Sequence, residues 1–186
     1  MSESELIERA RRGDEAAWVE LVRRHQGAIF RLAYLLLGNQ ENAKDVAQEV
    51  FLRAYCALDR FDRGRPLRPW LLEITRNQAS NWRRSLRRYL AALGRWGQTE
   101  SVVVDPRQEA AGGMDAQTLW QAVRRLNRAD QEVIYLRYFL ELSVEETAQS
   151  LQVAPGTVKS RLARALERLR NLVEAEFPGL REEVAE

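Results

Sequence analysis

The chain has 186 residues, 45% of them hydrophobic and 30% charged, with a net charge of +2. That length suits one medium or two small globular domains, and that composition excludes a disordered chain. A single cysteine, Cys56, excludes an internal disulfide or a cysteine metal cluster, and a single histidine, His25, excludes a multi-histidine site, so no cofactor is expected.

Apolar residues recur at helical spacing and strand alternation is missing, which predicts an all-α fold. The acidic start, Met1-Ser2-Glu3-Ser4-Glu5, has no apolar core of a secretory leader. Apolar runs such as Leu35-Leu36-Leu37 are far too short to span a bilayer. A cytoplasmic protein without membrane insertion is the expectation.

The first expected helix covers residues 14–37, with Asp14 as its N-cap and a stripe of Trp18, Leu21, Val22, Ile29, Leu32, Ala33 and Leu36. Gly38-Asn39 ends it with residues that tolerate left-handed backbone. A second covers 40–58 and buries Ala43, Val46, Ala47, Val50, Phe51, Ala54 and Leu58. A loop at 62–66, bounded by Gly64 and Pro66, leads to a third helix that starts near Pro69-Trp70 and runs to about residue 92. Over 94–113 the periodicity fails, which predicts a flexible linker too long for an ordinary loop. Four more helices are expected near 115–126, 130–140, 143–151 and 155–177. The organisation read from this is an N-terminal helical bundle (1–93), a linker (94–114) and a C-terminal helix-turn-helix domain of four helices (115–186).

Charge is unevenly spread. Residues 60–96 carry 10 basic and 2 acidic side chains, whereas 1–59, 97–142 and 143–186 are each net −2. Within this basic island the third helix interleaves Trp82 and Tyr89 with Arg83, Arg84, Arg87 and Arg88, a combination that holds phosphates and stacks bases. Asn77, Gln78 and Asn81 add amides able to bond base edges. A second motif begins at Ser143, which forms a capping box with Glu146. Small Ala148 allows a close crossing, and Pro155-Gly156 open a further helix whose outward side carries Thr157, Lys159, Ser160, Arg161, Arg164 and Arg168. This is a helix-turn-helix with base-reading and phosphate-binding groups on its second helix.

Asp45-Val-Ala-Gln-Glu-Val-Phe-Leu-Arg-Ala-Tyr55 resembles the core-polymerase-binding helix of bacterial sigma factors. Phe61-Asp-Arg-Gly-Arg-Pro-Leu-Arg-Pro-Trp-Leu-Leu-Glu-Ile-Thr-Arg-Asn77 resembles their promoter-melting and minus-ten segment, and the stretches 126–138 and 157–165 resemble their minus-thirty-five domain. The ordered set is similar to the extracytoplasmic-function (ECF) group of the sigma-70 family. The resemblance implies a non-enzymatic factor that binds core RNA polymerase (its largest and second-largest subunits) and promoter DNA, and that an anti-sigma factor restrains. Asp45, Gln48, Glu49, Phe51 and Leu52 would meet the polymerase. Phe61, Arg65, Arg68, Trp70, Arg76, Asn77, Asn81, Trp82, Arg83, Arg84, Arg87 and Arg88 would serve the minus-ten element. Pro155, Gly156, Thr157, Lys159, Ser160, Arg161, Arg164 and Arg168 would serve the minus-thirty-five element. Three positions depart from the family pattern: Asn81 where Asp is common, Thr147 for Ile or Val, and Gln152 for Gly.

A stand-alone regulator would need only the helix-turn-helix beside a ligand or dimerisation domain, and the basic aromatic third helix argues against it. An enzyme would need a phosphate loop, paired metal ligands or a nucleophile set, and the sequence contains no such motif.

Overall fold

The computed structural model describes residues 1–93 and 114–176. The expected linker and the break at Pro178-Gly179 lie outside the described residues. The chain divides into two compact units, Met1–Asp105 and Pro106–Glu186. Every element among the described residues is helical.

The first unit contains α1 (Glu3–Arg11), α2 (Glu15–Leu37), α3 (Gln40–Ala57), a 3-10 turn at Leu58–Arg60, and α4 (Leu67–Leu93). Each of the first three helices starts where a short polar side chain bonds an orphan N–H: Ser2 in a capping box with Glu5, Asp14 to the Ala17 N–H, and Asn39 to the Asn42 N–H. Gly38, at φ 71°, ends α2 in the left-handed conformation that glycine adopts without a Cβ penalty. α2 is the central helix and packs on α1, α3 and α4. Its stripe of Leu21, Ile29, Leu32, Ala33 and Leu36 is fully buried, as the spacing requires.

α1 was not among the expected helices. Its signals are a capping box at Ser2-Glu5 and apolar residues at Leu6, Ile7 and Ala10, all buried. Three apolar positions in nine residues are too few to stand out against an acidic background. α4 begins at Leu67, ahead of the expected Pro69-Trp70, because buried Leu67 anchors its first turn.

The second unit contains α5 (Met114–Arg125), α6 (Arg128–Ile134), a π-helical turn (Tyr135–Phe139), α7 (Val144–Leu151) and α8 (Pro155–Glu176). α8 packs on α5, α6 and α7. The helix expected over 130–140 is split. The wider turn places Tyr135 and Phe139 around Trp120, with ring centroids 5.7 and 5.6 Å from it, and Leu140 donates to the Tyr135 carbonyl at 3.0 Å. α7 carries the expected capping box: Ser143 Oγ accepts from the Glu146 N–H at 3.0 Å, and the Glu146 carboxylate accepts from the Ser143 N–H at 2.8 Å. Among the described residues no helix is long and apolar enough to cross a membrane.

Candidate nucleic-acid interface

α3 has one face in the core and one free. Val46, Val50 and Ala54 are buried, while Asp45, Gln48 and Leu52 stand exposed, Leu52 at 64%. Glu49 pairs with Arg53 at 2.6 Å on the same open side. Phe51 is half-buried edge-on against Trp18, with centroids 6.2 Å apart. Tyr55, three residues beyond Leu52, is exposed on the same face and widens its apolar part. Carboxylate, amide and apolar groups therefore share one surface, suited to a basic partner with an apolar contact.

The loop between α3 and α4 stands on a fixed base. Phe61 is only 5% exposed and packs on Trp70, with centroids 4.7 Å apart. These two rings hold the base of the loop and leave its tip, Asp62, Arg63, Gly64 and Pro66, to solvent. Arg65 is half-buried and lies 3.8 Å from Glu73. Arg68 and Arg76 are half-buried on α4.

Further along α4, Asn77, Asn81, Arg84 and Arg88 are all exposed. Their spacing of four, three and four residues sets them in one stripe about 16 Å long. Arg87 is exposed on its flank, and Arg88 also donates to Ser85 at 3.3 Å. Arg83 turns the other way: it is half-buried and donates to the Leu36 carbonyl at the end of α2. Trp82 packs against the core from the same side. The structure thus brings two amides and three arginines together on one open surface, and leaves Phe61, Trp82 and Arg83 to shape it.

In the second unit Gln152 ends α7 with φ 56° and ψ 46°, the left-handed conformation usual for glycine. The turn therefore keeps its form despite the departure noted at this position. Thr147, the other departure, is fully buried, and its hydroxyl donates to the Ser143 carbonyl at 2.7 Å. Pro155 and Gly156 are exposed at the start of α8, with Lys159, Ser160 and Arg164. Thr157 and Arg161 are half-buried. Lys159 and Arg161 project about 160° apart around the helix, as a helix seated in a groove requires if it is to reach both walls. Arg168 faces inward in part. Its Nε donates to Asp130 at 3.0 Å, and Asp130 is a 2% exposed carboxylate that also accepts from Asn127 at 2.7 Å. A buried carboxylate with a charged partner is a structural tie between α6 and α8.

Comparison with known proteins bears directly on this surface. The family model for sigma-70 region 2 matches residues 21–89, and that for sigma-70 region 4 matches 116–169. The ECF RNA polymerase sigma factor SigW of Bacillus subtilis is 34% identical over 173 residues, covering 88% of this chain and 92% of the relative. The chain belongs to the ECF group of sigma-70 factors. RNA polymerase sigma factor NccH of Alcaligenes xylosoxydans is 32% identical, covering 91% of this chain and 94% of its own. Among solved structures, CnrH in complex with the cytosolic domain of CnrY matches with a TM-score of 0.69 at 27% identity, covering 94% of this chain and 98% of that one. RpoE in complex with the anti-sigma factor NepR, from Bartonella quintana, matches with a TM-score of 0.67 at 29% identity, covering 84% and 96%. The sigma factor acts in promoter recognition and transcription initiation, and this is not an enzymatic role. Region 2 corresponds to α2, α3 and α4, and region 4 to the helices that carry the helix-turn-helix.

Proposed function

We propose a division of labour within this sigma factor. Residues 1–93 bind core RNA polymerase and the minus-ten element, 94–114 connect, and 115–186 bind the minus-thirty-five element. Asp45, Gln48, Glu49, Phe51 and Leu52 dock on the polymerase. The loop and the α4 stripe take the minus-ten strand: residues 62–66 receive an unstacked base, Asn77 and Asn81 bond base edges, and Arg84, Arg87 and Arg88 hold phosphates. Binding an unstacked base stabilises melted DNA without ATP, because the open state is favoured by whatever binds it alone. α8 enters the major groove with Thr157, Lys159, Ser160, Arg161 and Arg164 leading.

The observation that supports this best is the α4 stripe, where amides and arginines are exposed together on the helix that follows the loop. An anti-sigma factor is the regulatory partner, as in the RpoE–NepR complex, and exposed apolar groups such as Leu52 and Tyr55 suit such a contact. Polymerase and promoter DNA as partners make the cytoplasm the site of action. The test is run-off transcription with purified bacterial core polymerase on promoter fragments from the host. Specific transcripts that require the protein are expected; no transcript and no co-elution with core would overturn the reading.

A further inference from the structure

α1 lies against the turn that leads from α3 into α4 and holds that turn at three points. At its entrance the Arg11 side chain, 11% exposed, donates through Nε to the Leu58 carbonyl at 2.9 Å and through Nη2 to the Phe61 carbonyl. In the middle Glu8 pairs with Arg63 at 2.9 Å, and the same carboxylate oxygen lies 3.4 Å from Arg11 Nη1. At the exit the Glu3 carboxylate accepts from the Leu67 N–H at the start of α4, and from His25 Nε2 at 2.9 Å. α1 itself is fixed through Leu6, Ile7 and Ala10, which share one apolar cluster with Leu58, Phe61 and Leu67.

The chemistry of Arg11 fits a spacer. A planar guanidinium that reaches two carbonyls at once fixes their separation, which a single ammonium cannot do. Those two carbonyls lie at the start and just past the end of the 3-10 turn after α3, which the Phe61 N–H closes on the Leu58 carbonyl at 3.1 Å, and there a cation also meets the negative end of a helix. Beyond this base the loop has little core of its own. Its tip is exposed, and inside it the described bonds run to Asp62, whose carboxylate accepts from the Gly64 N–H at 2.9 Å and whose carbonyl accepts from the Arg65 N–H at 3.1 Å. A loop of this kind is ordered by its ends, and a preorganised loop spends less of its binding energy on ordering.

We infer that Arg11 is a positioning residue for the base-capturing loop, so that selectivity for the unstacked base depends on a side chain that touches no DNA. This rests on the minus-ten reading of the loop.

The test uses the full chain as wild type, Arg11→Lys, Arg11→Gln and Arg65→Ala. Each is incubated with a library of random single-stranded decamers, at a temperature where circular dichroism shows full helicity. Retained strands are sequenced, and affinity for the preferred strand is measured by fluorescence anisotropy. Base enrichment is expected to fall in the order wild type, Arg11→Lys, Arg11→Gln, with affinity roughly tenfold weaker in the last, since loosening a supporting residue misplaces the site. Arg11→Gln equal to wild type in enrichment and affinity would overturn the inference and leave the minus-ten reading standing. If Arg11→Gln loses its helical signal, Arg11→Lys decides, and enrichment equal to wild type overturns the inference. A wild type that enriches no base, or an Arg65→Ala that enriches as the wild type does, overturns the minus-ten reading and the inference with it.

Discussion

At the scale of single residues the second unit holds, among its described residues, two side-chain-bearing residues in left-handed backbone, Glu141 at φ 55° and Gln152 at φ 56°. Gln152 holds a left-handed backbone at φ 56°, which costs a side-chain-bearing residue about 1–2 kcal/mol that glycine avoids. Glycine also loses more backbone freedom on folding, by roughly 0.5–1 kcal/mol. Gln152→Gly is therefore expected to stabilise this unit by about 0.5–1 kcal/mol, which a thermal melt reads as a rise of a few degrees. A melt shifted downwards would show that the Gln152 side chain contributes more than the strain it carries. In the first unit, the hydrogen bond from His25 holds the Glu3 carboxyl below its ordinary value of 4.5, and the Leu67 N–H adds to this. A lowered carboxyl stabilises the fold above its unfolded value and loses that effect as pH falls through the folded one. Glu3→Gln should thus melt below wild type at pH 7, and the gap should narrow as pH drops under 4.5. A gap that stays constant with pH would mean that charge plays no part in the contact. Because Glu3 is more than a third exposed, solvent screens the interaction and the shift in melting temperature is small.

At the scale of elements, most of what the helices present was legible from spacing. Asn77, Asn81, Arg84 and Arg88 recur at helical intervals in the sequence and stand on one open face in the structure. The capping box at Ser143-Glu146 foretold the start of α7. What spacing could not give is where a guanidinium finds its partner. Arg83 ends on the Leu36 carbonyl, Arg168 on Asp130, and Arg11 on Leu58 and Phe61, each 38 or more residues away. No local pattern encodes such pairings, so arginines on one helix look equivalent until the packing is known. The π-helical turn is likewise not written in local spacing; its Tyr135 and Phe139 pack against Trp120 from another helix. The difference between these arginines has a consequence for DNA binding. Each phosphate contact adds about 0.9 to the slope of log affinity against log salt on duplex, and about 0.7 on a single strand. Replacing Arg84, Arg87 and Arg88 with Ala should lower that slope by roughly 2–3 in total. Arg83→Ala should leave the slope nearly unchanged and lower the melting temperature instead. A slope that Arg83 moves as much as Arg84 does would show that Arg83 leaves Leu36 to meet DNA.

At the scale of the whole molecule, the near-neutral total charge conceals an uneven distribution. The basic island lies in the first unit, around α4, and the helix-turn-helix lies in the second. Each unit has its own central helix, α2 in the first and α8 in the second, and the helices that pack on each come from the same unit. Two separate cores imply two separate unfolding reactions, because cooperativity extends only as far as continuous packing does. Fragments covering residues 1–105 and 106–186 are therefore expected to fold alone, with helical spectra that add up to that of the full chain. The single substitution at Gln152 makes the stronger test, because it touches one core and not the other. In the full chain, Gln152→Gly should raise only the transition that fragment 106–186 also shows, and leave the transition of fragment 1–105 where it was. A shift of both by the same amount would mean that the units unfold as one body. Independent units suit a bipartite promoter. Under the proposed division of labour each unit would bind its own element weakly, and their joint hold would come from a high effective concentration once the first is bound. Separating the two fragments in a transcription assay should then abolish promoter-specific initiation even though both remain folded.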